Sequence, residues 1–209
     1  KFDTLVGIFG IGQHPKGDKD PFALRRAAIG IIRILIEKEL ELDFKALAEF
    51  AASQFGDKLS NDNVIHDVVD FMLGRFQAHY TEQGIKVEVI RAVESKRPSS
   101  ALDFERRLKA VVNFAQLDAS VALAAANKRV NNILSKNSTG VFQALDTGLL
   151  VDDAEKSLVD SIAQLEQDVT RSFEQGDYQA GLMRLAELRA PIDTFFDDVM
   201  VMAEDEKVK

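Results

Sequence analysis

Apolar residues recur at helical spacing in nearly every segment of this chain, and that periodicity confines it to an all-α fold. The carboxy-terminal stripe Ile192, Phe195, Phe196, Val199 and Met200 shows it plainly, at i, i+3, i+4, i+7 and i+8. The punctuation agrees: 12 glycines and 4 prolines in 209 residues are too few for a loop-rich β-sandwich. The absence of cysteine excludes disulfides, thiolate zinc sites and cysteine nucleophiles, and suits a reducing compartment. The longest strongly apolar run, Ala27 to Ile36, is broken by Arg33 and falls short of the ~20 residues a bilayer span needs.

The pattern predicts a helix already under way at Phe2, Leu5, Val6 and Phe9, as in a fragment of a longer protein. Asp20-Pro21 reads as an N-cap with proline at the first helical position. The helix that follows, to about Leu40, is apolar on most sides and is expected to be the buried central element. A short helix over 43–55 ends at Gly56. Asn61 or Asp62 then caps a helix with the stripe Ile65, Val68, Val69, Met72, Phe76 and Tyr80. Residues 85–89 alternate like a strand, but Ile90 and Val93 favour a short helix. Ser95 to Ser100 is a basic connector, followed by helices near 101–117 and 119–136, a looser stretch from Asn137 to Val151, and helices again to the end. Domains are expected at 1–98 and 99–209.

Net charge is −8, which argues against a generally basic nucleic-acid binder, yet the charge is unevenly placed. Residues 146–209 hold 16 acids and 6 bases, whereas residues 86–136 hold ten bases and five acids. Because screening confines fields to about 8–10 Å, a locally basic stretch on an acidic chain still attracts a polyanion.

Three tempting motifs each have a plainer reading. Gly12 and Gly17 have the spacing of a phosphate-binding loop, but Asp18-Lys19 stands where Lys and Ser/Thr are required and no strand precedes it. Ordered turns with glycine at positive φ are the expectation there. His66-Asp67 resembles the dipeptide of metal-dependent phosphohydrolases, but only His14 and His79 remain as further histidines, and a pairing at i, i+4 is the plainer reading. The carboxylates Asp193, Asp197, Asp198, Glu204, Asp205 and Glu206 read as a solvated helix face without the glycine turn of a calcium loop. No local device frames a serine nucleophile, so no catalytic, cofactor or metal residue is assigned.

The stronger signal is Asn127-Lys128-Arg129-Val130-Asn131-Asn132-Ile133-Leu134. Leu123, Ala126, Val130, Ile133 and Leu134 are expected to give this helix its buried side. Lys128, Arg129, Asn132 and Lys136 would then share the other, with Arg106, Arg107 and Lys109 extending the patch from the preceding helix. Cationic forks with amides suit phosphates and single-stranded base edges; an ordinary solvated helix face has the same pattern.

Several long strings together resemble one family. Phe2-Asp3-Thr4-Leu5-Val6-Gly7-Ile8-Phe9-Gly10-Ile11-Gly12, then Gly17 to Arg26, then Ala124 to Leu134, then Leu188 to Asp193 and Phe195 to Asp205 are similar to the β subunit of bacterial heterotetrameric glycyl-tRNA synthetase, in the family's order. The resemblance implies an α2β2 enzyme that joins glycine to its tRNA, with ATP and magnesium used at the α subunit's catalytic site. This chain would be a carboxy-terminal part of β: the tail of a phosphohydrolase-like helical region, then a helical anticodon-binding domain similar to that of arginyl-tRNA synthetase. Family members continue beyond Lys209 into a further helix, so that domain is expected to be incomplete here.

The expectation is therefore a non-catalytic, cytoplasmic tRNA-binding portion. Lys128, Arg129, Asn132 and Lys136 would make its contacts, supported by Arg106 and Arg107. Its partners would be glycine tRNA and the α subunit, with neither membrane nor DNA. The rival expectation is a scaffold packing against the rest of β or against α, and a hydrolase using His66-Asp67 stands third.

Overall fold

The computed structural model describes residues 1–137 and 145–199, the side chains of 136 and 137 excepted. Among the described residues there are ten α-helices and no sheet. They are α1 (Phe2–Gly10), α2 (Leu24–Glu37), α3 (Phe44–Ser53), α4 (Val64–Thr81), α5 (Val87–Glu94), α6 (Ala101–Phe114), α7 (Asp118–Asn137), α8 (Asp153–Glu174), α9 (Tyr178–Ala186) and α10 (Arg189–Asp198). The chain divides into two compact units, Lys1–Leu108 and Lys109–Lys209. No single helix among the described residues is long and apolar enough to cross a membrane.

In the first unit α4 is the element the others pack around, touching α1, α2, α3 and α5. Val68, Met72 and Phe76 are fully buried along it, and Phe76 meets Phe44 of α3 and Phe104 of α6. This corrects the expectation that the helix after Pro21 is central. α2 buries one face, through Leu24, Ala28, Ile31, Ile32 and Leu35, while Ile34 is 47% exposed beside the exposed Arg33–Glu37 pair. Charges along the outer side keep that helix on the surface.

The start of α2 also differs from expectation. Pro21 and Phe22 form a turn, Ala23 takes a left-handed φ of 52°, and the helix begins at Leu24. Asp20 still caps it, but from further back: its two carboxylate oxygens accept from the backbone N–H groups of Leu24 and Arg25, at 2.8 and 2.9 Å. Asn61 likewise does not cap α4 directly. Its amide nitrogen donates to the Phe9 carbonyl (3.1 Å) and to Asp67 (2.9 Å), tying the end of α1 to the first turn of α4.

Residues 87–94 are helical, with Ile90 and Val93 buried, so the helix reading prevails over the strand alternation. The connector is pinned to the first unit: the Phe44 N–H donates to the Ser99 carbonyl at 2.8 Å, and Arg97 pairs with Asp70. Ser100 then receives the Asp103 N–H at 3.1 Å, starting α6 with Ala101, Leu102, Phe104 and Leu108 buried.

Among the described residues the second unit buries few side chains, Ala110 and Val169 being its buried hydrophobics. α8 opens with a capping box in which Glu155 accepts from the Asp152 N–H at 3.0 Å. α9 is capped by Asp177, which accepts from Ala180 at 3.0 Å. The two helices approach closely because position 181 is glycine: a Cβ there would stand 2.3 Å from the Phe173 ring. α10 packs on α8 and α7.

Candidate nucleic-acid interface

The loop between α1 and α2 closes on itself. Lys16 and Lys19 exchange backbone hydrogen bonds of 3.1 and 2.9 Å, Gly12 and Gly17 adopt φ of 75° and 53°, and Arg25 donates to the Gly17 carbonyl. These glycines serve turns, as expected from the sequence. His66 is 71% exposed and lies 3.4 Å from Asp70, one helical turn away. Among the described residues no group of three His, Asp or Glu side chains is placed to hold a metal ion.

α7 is a 20-residue helix in the second unit, and the structure divides its expected polar face into two strips. Ala122, Ala126 and Ile133 are half-buried, and Arg129 lies on their line at i, i+4, i+7, i+11. Val130 and Leu134, expected inside, are 40% and 38% exposed. Arg129 has its guanidinium carbon over the Phe196 ring of α10, 3.9 Å from the centroid. An arginine over an aromatic ring contributes apolar stem contact as well as a cation–π attraction.

Lys128 and Asn132, four residues apart, form the next strip around α7, and both are exposed. Lys128 has no ion-pair partner among the described residues. This strip offers an ammonium and an amide side by side to a ligand. The side chain of Lys136 lies outside the described residues, as do Met200 and the acids Glu204, Asp205 and Glu206.

Arg106 and Arg107 belong to the first unit, and each already faces a carboxylate. Arg106 pairs with Glu41, and Arg107 donates to Asp103 at 2.9 Å. Such surface pairs are worth about 0–1 kcal/mol, so a phosphate can displace them at modest cost. Phe196 is the residue the sequence reading placed in a stripe without assigning it any role at the site. Its stripe position was legible, whereas its partner, 67 residues earlier, was not.

The sequence matches the family described as Glycyl-tRNA synthetase beta subunit over residues 1–95, and the DALR anticodon binding domain over residues 123–209. The glycine–tRNA ligase beta subunit of Aeromonas hydrophila is 59% identical over all 209 residues; those of Aeromonas salmonicida and Pseudoalteromonas translucida are 58% and 57% identical over the same span. The chain covers 30% of the length of each of these relatives. Identity at that level along the whole sequence, with both domains in order, means that the chain belongs to the glycyl-tRNA synthetase beta subunit family.

Proposed function

We propose that this chain is the tRNA-binding portion of a glycyl-tRNA synthetase, acting within an α2β2 assembly that attaches glycine to its tRNA. Catalysis, with its ATP and magnesium, belongs in this reading to the α subunit, and no catalytic residue is assigned here. A role in translation places the assembly in the cytoplasm. The observation that carries the proposal is the exposed strip of Lys128 and Asn132 on α7, inside the segment that matches an anticodon-binding domain. A cation supplies the backbone attraction, and an amide can both donate to and accept from the edge of an unpaired base. Binding there raises the effective concentration of the tRNA acceptor end at the catalytic site.

The test is binding of the full-length protein to glycine tRNA and to an anticodon-swapped tRNA across a salt series, with Lys128→Glu beside the wild type. The expected result is a preference for glycine tRNA and a log K against log salt slope that Lys128→Glu flattens by more than the ~0.7–0.9 units of one lost phosphate contact. Salt-insensitive association with the α subunit, with no affinity for tRNA, would support the scaffold reading instead.

A further inference from the structure

We infer that Arg129 reads RNA through the plane of its guanidinium rather than through its charge, as the middle layer of a stack with Phe196 on one side and an unpaired nucleobase on the other. The inference rests on the tRNA-binding reading above and names what that site takes at this position. Arg129 lies 3.9 Å from the Phe196 ring centroid, which leaves one face of the guanidinium covered. The residue as a whole is exposed, and no hydrogen bond or ion pair engages it among the described residues. That exposure leaves its second face accessible to a planar ligand among the described residues, and the Phe196 ring holds the guanidinium in place before binding.

The electrostatic setting favours a base over a phosphate. On α10, Asp193 stands three residues before Phe196, and Asp197 and Asp198 follow it directly; all three are exposed. Asp193 is engaged by Arg189 at 3.7 Å, while the chain from residue 146 onward carries 16 acids against 6 bases. A phosphate approaching Arg129 meets these carboxylates, whereas the face of a neutral base does not. Unstacked bases of single-stranded RNA loops dock on guanidinium planes as they do on aromatic rings. Asn132, exposed and three residues on from Arg129 along α7, is its neighbour on the helix surface and would offer an amide to the edge of the same base. Phe196 is then a positioning residue that acts through Arg129.

The experiment measures glycine tRNA binding by the full-length protein and its variants Arg129→Ala, Arg129→Lys, Phe196→Leu, Phe196→Tyr and the double variant R129A/F196L, each across salt. Arg129→Lys keeps the charge and loses the plane. It should weaken binding as much as Arg129→Ala does, about tenfold, with the salt slope unchanged. Phe196→Tyr should retain wild-type affinity, and Phe196→Leu should lose several-fold in the wild-type background but nothing further beside Arg129→Ala. Wild-type affinity in Arg129→Lys, or a slope flattened by ~0.7–0.9 in Arg129→Ala, would make Arg129 a phosphate contact and overturn the inference. A Phe196→Leu loss that adds fully to that of Arg129→Ala would reduce Phe196 to packing and overturn it as well. If Lys128→Glu weakens binding while every Arg129 variant matches wild type, this inference alone falls. If the wild type binds no tRNA, the reading beneath it falls too.

Discussion

The rings of Phe76 and Phe104 lie face against face, their centroids 3.9 Å apart and their planes 7° from parallel. Tyr80 extends the stack, 5.6 Å from Phe104, and its hydroxyl donates to Glu105. Burial, then the hydrogen bond and charge of Glu105, hold the Tyr80 phenol far above its ordinary pKa, so it stays a neutral donor. Through these rings the first turns of α6 are part of the first unit, although a proline-containing connector precedes them in the sequence.

Truncating Phe104 to alanine should cost about 3–5 kcal/mol of unfolding free energy, because the ring is fully buried and a packed core relaxes only partly into the space left. In a double-mutant cycle with Phe76→Leu, the pair should show a coupling of about 0.5–1.5 kcal/mol in urea denaturation. Strict additivity would mean that the two rings contribute by area alone.

Gly181→Ala should destabilise the second unit by about 1–3 kcal/mol, since the new methyl group meets the Phe173 ring at 2.3–2.6 Å. Adding Phe173→Leu should recover part of that loss, which a thermal melt of the double variant would show. Position 181 is helical with ordinary φ, so the effect is one of space and not of backbone strain.

Asp20→Ala should cost about 0.5–2 kcal/mol and speed amide exchange at Leu24 and Arg25, whose N–H groups its carboxylate accepts. The exchange effect should be confined to the first turn of α2. Faster exchange spread along the whole helix would show that Asp20 holds the entire α2 register.

His79 gives the fold a pH dependence with a definite sign. Burial lowers its pKa; Glu105 opposes this, Arg33 adds to it, and Glu82 and Glu37 oppose it. The folded imidazole thus binds protons less readily than the unfolded chain, whose ordinary value is 6.5. Its contribution is complete above that value and is lost as pH falls through it. Relative to wild type, His79→Gln should gain stability between about pH 6.5 and pH 5 and show a constant difference above about pH 7.5, read from urea midpoints. Parallel curves over the whole range would remove His79 as the source.

Helical periodicity, the scarcity of glycine and proline, and long family-like strings pointed from the sequence alone to the all-α class and the family, and Ile90 and Val93 tipped the strand-like stretch 85–89 towards a short helix. Those signals are local: which residues share a helix face depends on spacing along one element, and resemblance depends on order along the chain. Even the glycine turns at 12 and 17 could be read this way, because positive φ is a property of single residues. What spacing could not decide was where a face points once helices pack. Arg129 looked like one of four equivalent polar positions, and only the tertiary structure sets its guanidinium over the ring of Phe196, 67 residues away, with Val130 and Leu134 exposed. α2 looked central because it is apolar, but α4 holds that place because its aromatic side chains reach two other helices at once. Composition fixes how much apolar surface must be buried, but pairing across the fold decides which partner buries it, and that information lies between elements rather than within them.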